Sequence, residues 1–244
     1  MKMAVTTALL AILLTANAWE ASAQVAKPDG SRLSDSDVCY VIIRGQGDQA
    51  APMGVTRQTV KATTIDGAPA WDVVVHQKAG DRFDMRDHFV LKSSDLRPIT
   101  LNTLFMGHDH AQLRYGDSNV QGHKIGKDGK TTEIDIPVAE AVWEGNLFGL
   151  TIAALPLADG ASFSVPKYQY DSGLGRFDVK VVGSETVATP AGPVEAWTVE
   201  LLPLPEMQGG PAMTYQISKS DHRELGYYSP MGGQTLGGDC SGLD

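Results

Sequence analysis

A two-residue rhythm runs through most of this chain and restricts its fold more than any other feature. Trp71, Val73 and Val75 alternate with Asp72, Val74 and His76. Phe83, Met85, Phe89 and Leu91 fall on one parity, with Asp84, Arg86 and His88 on the other. Successive side chains of a strand point to opposite faces, so each run has one apolar side. Turn signals separate the runs. Lys78-Ala79-Gly80-Asp81 lies between the first two, and Lys127-Asp128-Gly129-Lys130 follows later, where Asp-Gly readily takes the positive φ angles of a hairpin turn. The same pattern predicts strands over 56–65, 98–106, 111–116, 119–126, 131–136, 161–169, 177–187, 193–202, 213–219 and 225–229. The expected fold is mainly β, with one antiparallel domain over 55–230. A polar, flexible lead-in is expected over 24–54 and a glycine-rich tail over 231–244.

One segment breaks the rhythm. Residues 138–155 are rich in Ala, Leu and Glu, and Asn146 is placed to cap a short helix from Leu147 to Leu155 that Pro156 stops. Leu147, Phe148, Leu150, Ile152 and Leu155 surround that helix on nearly every side. A helix that is apolar all round is buried, so it is expected to plug the concave face of a sheet. Gly145 and Gly149 would let the segment move. The expectation therefore leans towards a helix covering a space for an apolar or lipid-like ligand, walled by Trp71, Val73, Trp143, Leu147, Phe148 and Ile152.

The N-terminus has the order of a secretory signal. Lys2 supplies positive charge, residues 3–18 are rich in Ala, Leu, Val and Ile and carry no charge, and Ala21-Ser22-Ala23 offers small residues for cleavage before Gln24. The run is shorter than the ~20 residues that span a bilayer, and Asn17 and Glu20 interrupt its end. The expected protein is periplasmic or secreted, with residues 1–23 removed and no membrane span left. Two cysteines in such a chain, Cys39 and Cys240, point to one disulfide. A net charge of −9 argues against nucleic acid as a partner.

Catalytic signatures are sparse. No G-x-S-x-G or H-E-x-x-H occurs, and Ser172 sits in a turn-like Asp-Ser-Gly without the setting of a nucleophile elbow. His108-Asp109-His110 is sharper. On one strand His108 and His110 would share a face and hold a metal, with His123 or His88 as a third ligand. The competing reading is a polar strand end, since Gly107 precedes it. Three functions stand side by side: a non-enzymatic binding or envelope-assembly protein without a cofactor, a metal-dependent enzyme centred on His108 and His110, and a structural partner of another envelope protein.

Several stretches carry a resemblance. Ser94-Asp95-Leu96-Arg97-Pro98 opens one strand, and Leu155-Pro156-Leu157-Ala158-Asp159-Gly160 follows the helix. Val181-Val182-Gly183-Ser184-Glu185-Thr186-Val187 leads through Thr189-Pro190-Ala191-Gly192 to Val194-Glu195-Ala196-Trp197-Thr198-Val199. Over roughly residues 55–230 this order resembles the exported bacterial domain-of-unknown-function family 3108. The resemblance implies a single curved antiparallel sheet, half-barrel or barrel-like, with a helical plug, similar to periplasmic lipoprotein carriers. It implies no catalytic residues.

Overall fold

A computed structural model describes residues 24–25, 27–202 and 212–243. After the two-residue β1 (Gln24–Val25), one antiparallel meander runs through β2 (Ser36–Arg44), β3 (Ala51–Ile65), β4 (Ala68–Ala79), β5 (Phe83–Lys92), β6 (Pro98–Phe105), β7 (His108–Tyr115), β8 (Asn119–Ile125) and β9 (Thr131–Pro137). A crossover holds β10 (Trp143–Glu144) and the helix α1 (Phe148–Ala153). A second meander follows: β11 (Ser162–Gln169), β12 (Gly173–Thr189), β13 (Gly192–Leu201), β14 (Met213–Ser218), β15 (Glu224–Ser229) and β16 (Gly232–Leu236). The last strand pairs with β2, so the two meanders form one curved sheet in the order β11 to β16, then β2 to β9. The sheet does not close. β9 ends one side, and β1 and β10 pair in parallel with β11 on the other.

The pairing of β16 with β2 corrects two expectations. Residues 36–44, read as part of a flexible lead-in, form a strand in the middle of the sheet, and residues 232–236, read as tail, form its neighbour. Tyr40 is fully buried and its hydroxyl donates to the Glu224 carbonyl at 3.1 Å. The glycines that gave the tail its mobile look permit close strand packing. A Cβ on Gly232 would lie 2.1 Å from the Ile43 carbonyl oxygen, and one on Gly233 would lie 2.0 Å from that of Tyr227. Cys39 and Cys240 are joined by a disulfide, with Cα atoms 5.8 Å apart, which ties the chain beyond β16 to β2.

The helix is shorter than expected, and Asn146 does not cap it. Leu147 holds the N-cap position without a side-chain hydrogen bond. Leu147, Leu150, Ile152 and Leu155 are buried in one apolar cluster with Val60, Val73 and Phe89 of the first meander and Val165, Phe177 and Ile217 of the second. The helix thus fills the concavity between the two halves. Gly149, read as a source of mobility, makes room instead: a Cβ there would stand 1.7 Å from Oε2 of Glu224. No helix among the described residues is long and apolar enough to cross a membrane.

Candidate functional site

The space expected beneath the helix is occupied by core side chains. Val73, Trp143, Leu147 and Ile152 are buried in the main cluster, and Trp71 and Phe148 pack against it. The Trp143 indole donates to the Asp95 carbonyl at 2.8 Å, and that of Trp71 to the Gly30 carbonyl at 3.1 Å. Phe148 meets Phe177 edge to face, with ring centroids 5.2 Å apart. None of these six residues lines the large cleft of this fold.

That cleft has a volume of about 620 Å³ and lies where the unclosed sheet brings strand ends of the first meander opposite the start of the second. Met85, Phe105, Met106 and Ile125 form an apolar strip along one wall. The tight turn from β6 to β7 places Met106 and Gly107 at positive φ, 52° and 77°, and swings Met106 outward. Gln169, Tyr170 and Asp171, at the turn from β11 to β12, form the opposite wall with Asn146. Lys124 ties the walls together, its Nζ donating to the Tyr170 carbonyl at 3.0 Å and to Asp171 Oδ1 at 3.2 Å.

His108 and His110 both line this cleft. A β-bulge separates them from simple strand geometry: the register steps from Thr103 opposite Ala111 to Leu104 opposite Asp109, leaving His110 without a strand partner. The His110 ring packs on Tyr170 and Phe105, at 5.6 and 6.0 Å between centroids, and His108 is exposed at the rim. The two third-ligand candidates stand elsewhere. His88 pairs with Asp72 at 2.9 Å, and His123 lies opposite Gln112, lining a separate depression. Among the described residues, no group of three His, Cys, Asp or Glu side chains is placed to hold a metal ion.

Two buried acids beside the cleft escaped the sequence reading. Asp87 is 4% exposed, and its Oδ1 accepts from the Thr103 hydroxyl at 2.6 Å. Burial pushes its carboxyl up to about 6, against the Thr103 hydrogen bond and the nearby His110, which favour the charged form. Glu144 is 1% exposed and accepts hydrogen bonds from the Tyr115 hydroxyl and from the Asn146 backbone N–H. Burial, reinforced by the charge of Asp87, lifts it to about 7 against those hydrogen bonds. The signal for Asp87 was present in the alternation: it shares the parity of Phe83, Met85, Phe89 and Leu91, so its side chain had to point inward.

The family model for a protein of unknown function, DUF3108, matches residues 40–231. The chain belongs to the DUF3108 family. No curated protein and no solved structure matches it. The match runs from β2 into the turn before β16 and includes both walls of the cleft. Cys39 and Cys240 fall outside it, so in this DUF3108 protein the disulfide brackets the family domain.

Proposed function

We propose that this DUF3108 protein is an exported, non-enzymatic binding protein that holds a single-chain amphiphile in the cleft. The cleft carries this reading: an apolar strip of Met85, Phe105, Met106 and Ile125 faces polar groups on Asn146, Gln169 and Tyr170. Its volume falls in the ~300–1,000 Å³ range of sites for small ligands, enough for one chain. The signal-like N-terminus and the disulfide support export, since disulfides persist in oxidising compartments.

Titration with the neutral fluorescent probe N-phenylnaphthylamine tests the reading. Saturable binding with enhanced, blue-shifted emission is expected. Met106→Asp should weaken it about tenfold or more, because a charge would have to be desolvated against the apolar strip. The variant should fold normally, since Met106 is 41% exposed at a positive φ that aspartate tolerates. Absence of saturable binding by the wild type would remove this function.

Export carries its own expectation. Residues 1–23 lie outside the described residues, and their sequence predicts cleavage after Ala23. N-terminal sequencing of protein recovered from the periplasm should begin at Gln24, and a mature pool that keeps Met1 would count against export by this route.

A further inference from the structure

Phe105 gathers around itself four side chains that bind soft metal ions. It stands directly opposite Met85 of β5 and, on its other side, directly opposite His108 of β7. Cross-strand partners share a face of the sheet, so Met85 and His108 flank Phe105 on the cleft side. Met106 follows Phe105 in the chain, and its backbone N–H donates to the Asp84 carbonyl at 2.7 Å, which holds the turn beside Met85. The His110 ring lies 6.0 Å from that of Phe105. Directly opposed residues have Cα atoms about 5 Å apart, so Met85 and His108 start about 10 Å apart, a span that two long side chains bridge with a metal ion between them.

Met85, Met106, His108 and His110 all line the cleft. Met106 is 41% exposed, His108 is exposed at the rim, and Met85 and His110 are half-buried, so none of the four is sealed from solvent. The bulge denies the two histidines a shared strand face, and imidazole and carboxylate alone make no closed site here among the described residues. Thioether sulfur changes the donor set. Zinc sites draw on thiolate, imidazole and carboxylate. Neutral thioethers beside imidazoles suit Cu(I) instead. Charge in the lining does not decide the matter: Lys127 stands against Asp109, and Asp171 is paired with Lys124 at 3.2 Å. Cys39 and Cys240 are locked in the disulfide, so no thiolate of theirs competes for the ion.

We propose that Met85, Met106, His108 and His110 form a binding site for Cu(I). The site goes beyond amphiphile binding and does not depend on it. Competition for Cu(I) between the tag-free mature protein, its disulfide intact, and the chromogenic chelator ferrozine under anaerobic ascorbate provides the test. One Cu(I) per chain should pass to the protein, and X-ray absorption at the copper edge should show sulfur as well as nitrogen neighbours. Met85→Leu combined with Met106→Leu should weaken binding about a hundredfold, since losing even a residue that merely supports a metal ligand costs ~10–100-fold. Leucine nearly matches methionine in volume, so the double variant keeps the fold. Met53→Leu combined with Met231→Leu is the control: both methionines are exposed and lie outside the cleft, so affinity should not change. No transfer of Cu(I) from the chelator, or a copper environment without sulfur, would overturn the site. So would undiminished binding by the cleft variant, or equal weakening by the control pair.

Discussion

Ile152→Ala is expected to destabilise the protein by about 2–5 kcal/mol, measured as a shift of the denaturant midpoint. Ile152 is fully buried, and so is Leu155. The helix carrying Ile152 belongs to the one apolar cluster that spans both meanders. Truncation removes buried methyl groups and leaves a cavity that neighbouring strands cannot collapse into, because their backbones are held in the sheet. The size of the effect separates two roles for this helix. A cover over a ligand space would tolerate the change at about 0.5 kcal/mol, the scale of ordinary surface substitutions. A plug that joins the two halves would not. Probe binding in the outer cleft should survive in Ile152→Ala at denaturant concentrations where the variant is folded, because Ile152 does not line that cleft. A small stability loss would return the helix to the role of a lid.

Strands and turns were readable because each depends on local chemistry. The Asp128-Gly129 turn, with Gly129 at φ 75°, sits where the sequence placed it between β8 and β9. Ten strands expected from alternation each coincide with an observed strand within a few residues, and the buried helix falls within the segment that broke the pattern. What stayed hidden depends on residues far apart in the chain. The β16–β2 pairing joins positions almost at opposite ends, and the low side-chain content of Gly232 and Gly233 looked like a tail rather than a strand. The Cys39–Cys240 disulfide was the one sequence feature that linked those ends. The cleft was hidden for a related reason. Its walls come from residues 85, 105–110, 125–127, 146 and 169–171, and no periodicity within one strand says that these meet. His108 and His110 stand out in the sequence and do line it, yet a shared ligand face requires a regular strand, which the bulge at Thr103 interrupts.

Between pH 5 and pH 8 the protein should become less stable, and Glu224→Gln should reduce that loss. Glu224 is buried beneath the helix at 4% exposure, where Gln234 Nε2 donates to its Oε1 at 3.0 Å. Burial raises its carboxyl from the ordinary 4.5 to about 7, more than the Gln234 hydrogen bond lowers it. Burial raises Glu144 similarly, with a smaller contribution from the charge of Asp87, and raises Asp87 to about 6. The sign follows from proton counting. In the window between the ordinary and the raised value the folded state holds protons that the unfolded state has released, so stability falls as pH rises through it. The loss is complete above about 7 for Glu224. Acids held low, such as Asp84 beneath its hydrogen bond from His76, act in the opposite sense, but their stabilisation is lost only as pH drops below the ordinary 3.8. They leave the window from pH 5 to pH 8 to the buried acids. At 1.36 kcal/mol per pH unit, Glu224 alone accounts for about 3 kcal/mol, as an order of magnitude. Glutamine keeps an oxygen for Gln234 and has nearly the same shape, so it fits the space that Gly149 leaves open. Urea melts at pH 5 and pH 8 provide the measurement. Wild type should lose several kcal/mol across the interval, and Glu224→Gln should match wild type at pH 5 and exceed it by about 3 kcal/mol at pH 8. A wild-type stability that is flat or rising over this range would show that these carboxyls are not buried as described, and with them the packing of the helix onto β15.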